Sequence, residues 1–134
     1  FSELTEFMED TKEYAREHGY VETLFGRRCY VPGIQDKTPA SRAFAERQAI
    51  NAPLQGTAAD IIKRAMMRLP GALAEAGLKT RMLLQVHDEL IFEAPVDEAE
   101  QALALIRKIM SKSATLDVPL EVEANQAESW ASAH

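Results

Sequence analysis

Apolar positions in the first half of the chain alternate between helical and strand spacing, and each change of period marks an element. Leu4, Phe7, Met8, Thr11 and Ala15 recur at helical spacing, and His18-Gly19 supplies a stop. Residues 20–24 and 28–31 are β-prone runs joined through Phe25-Gly26-Arg27, a hairpin whose glycine can take positive φ. Pro32-Gly33 ends it, residues 34–39 read as an exposed loop, and Thr38 or Pro39 stands near the next helix start. Residues 40–51 are helical, with Phe44 and Ile50 apolar against Arg42, Glu46 and Arg47. Pro53 lacks an amide proton and clashes one turn back, so a break or kink is expected there. A second helix is predicted over about 55–69; Pro70-Gly71 interrupts it, and 72–76 forms a further turn before Gly77.

The second half centres on two β-rich runs, 81–86 and 90–94, either side of His87-Asp88-Glu89. They predict a buried hairpin with the polar triplet as its tight turn. Asp97-Glu98-Ala99-Glu100 reads as a capping box opening a helix with Leu103, Ile106, Ile109 and Met110 on one face, ending near Ser113. Residues 118–123 alternate as a half-buried strand, and a polar tail follows from Asn125, with Trp130 expected to anchor it by packing. The element order predicts an α+β fold: an antiparallel sheet of hairpins backed by helices, including a long helix broken near Pro53.

Composition narrows the class. At 134 residues, 46% hydrophobic and 27% charged, the chain can bury one core, and one domain is expected. The single Cys29 rules out an internal disulfide and points to a reducing compartment. No apolar run approaches the roughly 20 residues of a membrane span, no signal peptide is visible, and the opening Phe1 predicts a piece of a longer chain. The net charge of −6 is uneven: residues 27–68 carry +5 and the remainder −11. This predicts a basic face on an acidic body, with a solvated helix face as the plainer alternative. Gly56-Thr57-Ala58-Ala59 would let another backbone come close, and Met66, Met67, Met82 and Met110 read as core filler.

The candidate chemistry lies in His87-Asp88-Glu89. An aspartate in a turn ordinarily bonds nearby backbone amides, whereas an imidazole beside two carboxylates also suits a metal or acid/base site. The residues alone leave both open.

Three longer segments in register resemble one family. They are residues 19–28 (Gly-Tyr-Val-Glu-Thr-Leu-Phe-Gly-Arg-Arg), 46–60 (Glu-Arg-Gln-Ala-Ile-Asn-Ala-Pro-Leu-Gln-Gly-Thr-Ala-Ala-Asp) and 85–93 (Gln-Val-His-Asp-Glu-Leu-Ile-Phe-Glu). Residues 118–123 and Trp130 also fit. Together they resemble the C-terminal end of the palm in bacterial family A DNA polymerases, over essentially all of residues 1–134. The resemblance implies template-directed nucleotidyl transfer to a primer 3′-hydroxyl, in replication and repair, by a two-metal Mg²⁺ mechanism. It makes Asp88 a metal-binding catalytic aspartate, Glu89 the accompanying acid at the metal, and His87 a contact to the primer terminus. It places Arg47, Asn51 and Gln55 along the DNA minor groove. Arg27 and Arg28 would lie near a DNA strand, face solvent or pair with acids. Cys29 stands where many relatives carry a basic or apolar residue, and 124–127 is poorer in glycine than the family's turn.

The resemblance also implies what lies elsewhere. The second palm aspartate and its strand, and the fingers helix for the incoming nucleotide, belong N-terminal to this chain, and the thumb and any exonuclease domain are absent. One aspartate cannot organise two metals, so this chain alone is expected to be inactive. Its partners would be primer-template DNA, incoming dNTP and the remaining polymerase chain, in the bacterial cytoplasm at the nucleoid, with no membrane. Two alternatives are a non-catalytic DNA-binding or assembly module and one part of a split polymerase. A one-metal hydrolase lacks ligands, because His18 sits at a helix end and His134 in the tail.

Overall fold

In the computed structural model, which describes residues 1–133, the first helix α1 (Ser2–His18) stops where the sequence supplies a glycine. Gly19 takes φ 80°, and its N–H caps the Ala15 carbonyl at 2.7 Å. His134 lies outside the described residues. The chain divides into two compact units, Phe1–Asp60 and Ile61–His134.

In the first unit, β1 (Tyr20–Glu22) and β2 (Arg28–Tyr30) pair antiparallel, Tyr20 opposite Tyr30. Thr23 closes the hairpin from within: its carbonyl accepts from Gly26 N–H, and its hydroxyl accepts from Phe25 and Arg27 N–H. The loop after β2 is exposed over residues 35–39, as expected, and departs from that only at its first residue. Ile34 is only 4% exposed and joins Ala15, Val21, Val31, Ala45 and Ala49 in the core, while the Gln35 amide donates to the Arg16 carbonyl. Asp36 Oδ1 accepts the Thr38 N–H at 3.0 Å, which holds its carboxyl below the usual range. α2 (Pro39–Glu75) then begins on a proline, whose missing N–H costs nothing at a first helical position.

α2 corrects the expected break at Pro53 and the stop at Pro70-Gly71: it is one helix of 37 residues. An interior proline costs about 3 kcal/mol. Burial of Ala45 and Ala49 in the first unit, and of Ala65, Leu69 and Leu73 in the second, offsets that, at about 1.5–3 kcal/mol per large aliphatic side chain.

Gly56 sits on α2 under the β1–β2 hairpin, and the close approach there is made by hairpin side chains where the small residues had suggested a backbone. A Cβ there would stand 2.7 Å from Thr23 Cγ2 and 3.3 Å from Arg27 Nη2. Thr23, 5% exposed and hydrogen-bonded through its hydroxyl, has little room to give. Gly56→Ala is therefore expected to destabilise by about 1–3 kcal/mol despite alanine's better helix propensity. Faster amide exchange across the β1–β2 hairpin and α1 would show it; unchanged or slower exchange would mean that the hairpin shifts freely.

In the second unit, β3 (Arg81–Val86) and β4 (Glu89–Glu93) form a hairpin that is a sheet of its own, separate from β1–β2. The ladder slips between Met82 and Leu84, so Leu83 is bulged. Leu90, Phe92 and Ala94 pack on Ala65, Leu69 and Leu73 of α2 and on Ala102 and Ile106 of α3 (Ala99–Ser111). No side-chain hydrogen bond caps α3, which overturns the expected capping box. Glu98 instead reaches back, accepting Lys79 N–H at 2.8 Å and the Thr80 hydroxyl at 3.3 Å.

Residues 118–123 form no strand. Their burial alternates from Leu120 on, with Leu120 and Val122 half-buried and Val118 67% exposed, but no strand edge pairs with them among the described residues. One-sided burial was legible there; a hydrogen-bonding partner cannot be read from alternation. Arg107 Nη2 holds the segment by donating to the Ala124 carbonyl. Trp130 opens a four-residue α4 (Trp130–Ala133) and remains 45% exposed, so the packing anchor expected there is largely open to solvent. Met67, expected in the core, is 83% exposed.

Candidate active-site tip and DNA-facing helix row

Val86 pairs with Glu89, leaving His87 and Asp88 as a two-residue loop, with Glu89 the first residue of β4. All three side chains are exposed, where the hairpin was expected to be buried. His87 has φ 56°, the only positive φ at a non-glycine position among the described residues. Two-residue hairpin loops need positive φ because only then does the turn follow the twist of the strands. Histidine tolerates this better than most side chains, though glycine is the default. Gln85 steadies the loop, its Nε2 donating to the His87 carbonyl at 2.8 Å. The loop is thus held by the Val86–Glu89 pair at its base and by this bond to the His87 carbonyl.

The donor set at the tip fits a hard divalent cation in kind: Asp88 and Glu89 offer carboxylate oxygens, which Mg²⁺ prefers, with water and phosphate completing its shell. It does not fit in number. Among the described residues no three His, Cys, Asp or Glu side chains gather to hold a metal.

Arg47, Asn51 and Gln55 lie at four-residue steps on α2, and all three are exposed. Because the helix does not break at Pro53, Gln55 continues the row, drifting about 40° per step. Ala45 and Ala49 bury the opposite side. The Arg47 guanidinium stands 5.9 Å from the Phe44 ring centre, and Phe44 and Leu54 are 55% and 62% exposed beside the row. Polar donors alternating with open apolar surface can lie along a nucleic-acid groove.

Of the alternatives for Arg27, pairing with an acid is the one observed. Its Nε donates to Asp60 Oδ1 at 2.8 Å and its Nη2 to the Gly56 carbonyl at 3.3 Å. The bond and charge of Asp60 raise its already high pKa. Arg28 lies over the Tyr20 ring at 4.5 Å and stays exposed; a hydrogen bond with Tyr30 is the main cause of its raised pKa. Arg28, Lys37, Arg42, Arg47, Lys63, Arg64 and Arg68 are all exposed, so the cations of the basic stretch reach solvent. Sequence reasoning missed Asp60 and Thr57, which hold the hairpin to α2. The available signal was their place one and four residues after a glycine, on a single turn.

Residues 1–132 match the model of DNA polymerase family A. DNA polymerase I of Pseudomonas aeruginosa is 56% identical over 128 residues, covering 96% of this chain and 14% of that protein. The thermostable DNA polymerase I of Thermus thermophilus is 51% identical over 133 residues, covering 99% and 16%. The chain therefore spans about a seventh of the relatives it matches. A solved structure, the POL domain of Pol1 from M. smegmatis in complex with DNA primer-template and dNTP, superposes with a TM-score of 0.88 at 46% identity, over 94% of this chain and 22% of that one. Matched over residues 1–132, the chain belongs to DNA polymerase family A.

Proposed function

We propose that this chain is the C-terminal palm portion of a DNA polymerase I, contributing one catalytic aspartate and the primer-terminus grip to template-directed DNA synthesis in the bacterial cytoplasm. The observation that carries this reading is the exposed row Arg47–Asn51–Gln55 on an unbroken helix. In the minor groove every base pair presents acceptors, purine N3 or pyrimidine O2, so guanidinium and amide donors can hold any correctly shaped pair.

At the hairpin tip, Asp88 would hold Mg²⁺ with Glu89 supporting beside it. The cation would supply activation of the primer 3′-hydroxyl and neutralisation of charge gathering on the phosphates. The two-residue loop keeps Asp88 from wandering. His87, held by its backbone, presents an imidazole to the primer terminus as a hydrogen-bonding group. Arg28 is available for sequence-independent contact with a strand backbone. The remaining metal ligand and the nucleotide-binding helix come from the rest of the full-length enzyme.

Arg47→Ala in that enzyme is expected to weaken primer-template binding by about 1–3 kcal/mol, equally for every terminal base pair. The log–log salt slope should fall by about 1. Titration with a labelled primer-template at several salt concentrations reads both. Unchanged affinity would remove the row from the DNA contact; a loss confined to one terminal pair would replace geometry checking with sequence readout.

A further inference from the structure

We propose that Asp60 is a positioning residue for the DNA-facing row, acting through Arg27; the proposal rests on the reading of that row given above. Three bonds join the β1–β2 hairpin to the α2 turn that begins at Gln55. Arg27 Nε donates to Asp60 Oδ1 at 2.8 Å, Arg27 Nη2 to the Gly56 carbonyl at 3.3 Å, and Leu24 N–H to Thr57 Oγ1 at 2.9 Å. The Gly56 carbonyl is a backbone group adjacent to Gln55 itself. Asp60 is the inner end of the ion pair, its side chain 11% exposed against 47% for Arg27. A guanidinium fits this role because its rigid fork bonds two acceptors at once, which a lysine ammonium on its flexible stem does not reproduce.

The turn needs such a brace. Pro53 sits two residues before Gln55 and lacks the N–H that would bond one turn back, so α2 is a hydrogen bond short where the row passes. Hairpin side chains close over Gly56, with no room for a Cβ, and fix the turn from outside. Arg27 then serves DNA binding without touching DNA: it sets the angle at which Gln55 continues from Asn51.

The full-length enzyme carrying Asp60→Asn tests this, because a bracing Arg27 and a DNA-contacting Arg27 respond oppositely. A brace predicts that Asp60→Asn and Arg27→Ala each weaken primer-template binding about fivefold, and that the double variant is no weaker than either. The salt slope stays unchanged, kcat at saturating primer-template is kept, and Arg27→Lys does not rescue. If Asp60→Asn binds as tightly as the unsubstituted enzyme, the brace is overturned; if it binds more tightly, or if Arg27→Ala lowers the salt slope by about 0.9, Arg27 contacts DNA directly and the proposal is overturned as well. Arg47→Ala, run alongside, separates two failures. A loss there with none at Asp60 sinks only the brace; no loss at either sinks the row and the brace with it. If Asp60→Asn does not fold, Thr57→Val removes the brace's other side-chain bond. A loss of affinity with an unchanged salt slope then supports the brace, and unaltered affinity overturns it.

Discussion

Asp88→Ala in the full-length enzyme is expected to slow primer extension by about 10³-fold, because a carboxylate that holds a catalytic cation contributes several kcal/mol to the transition state. Primer-template affinity should move little, since the proposed grip is the row on α2. The substitution is clean: His87, not Asp88, carries the positive φ, so alanine fits the loop without new strain. Gln85 bonds the His87 carbonyl and is untouched. The loss should therefore report the carboxylate rather than a collapsed hairpin. Single-turnover extension at a series of Mg²⁺ concentrations would show it. A rate within tenfold of the unsubstituted enzyme would take Asp88 out of the metal site. Glu89, at the start of a strand beside it, is expected to cost less when removed, as befits a supporting acid.

The largest stability effect is expected at Leu69. It is fully buried, clustered with Ala65 and Leu73 of its own helix and with Ala102 and Ile106 of α3. Truncation to alanine removes three carbons from a site whose smallest neighbours, Ala65 and Ala102, cannot expand to fill the space. Leu69→Ala should destabilise the Ile61–His134 unit by about 2–5 kcal/mol. Global melting of a multidomain enzyme is a poor gauge of one unit. Hydrogen exchange is better: amides of α3 and of the β3–β4 hairpin should exchange on the order of 30-fold faster or more. Met67→Ala is the control, at 83% exposure, and should leave exchange almost unchanged. Equal exchange in Leu69→Ala and the control would show that this cluster does not limit the unit's stability.

Much of the fold was legible because local chemistry decided it. Gly19 ended α1, and Gly26 turned the first hairpin with positive φ. The apolar stripe through Ile106 became the buried face of α3. What misled was local chemistry overruled from a distance. Pro53 and Pro70 are helix breakers by their own covalent structure, yet buried residues on both sides keep α2 whole. Asp97 and Glu100 had the spacing of a capping box, but the helix starts after Glu98, whose carboxylate two donors at Lys79 and Thr80 claim. The candidate site residues came from the resemblance of three segments, and the structure adds local constraints at them: a left-handed His87, a Gln85 bond across the tip, and an Arg27 engaged with Asp60. None of these leaves a mark in spacing alone, since each depends on chain brought together by folding.

The bulge at Leu83 carries a further consequence. Residues opposite one another in a ladder share a face, so Met82 falls on the face of Phe92 and Gln85 on that of Leu90, the two β4 residues that pack on the core, although Gln85 itself is exposed. One is even-numbered and the other odd. The extra residue is a frameshift in three dimensions: past it, inside and outside trade places along the strand. Leu84 is sent to the other face with Ile91, and Gln85 comes onto the face of Leu90 while staying exposed, where its amide bonds the His87 carbonyl. Insertions and deletions in this strand therefore fall into two classes by parity. Those that preserve the frame keep Gln85 behind the tip, and those that change it put a leucine or a valine in its place.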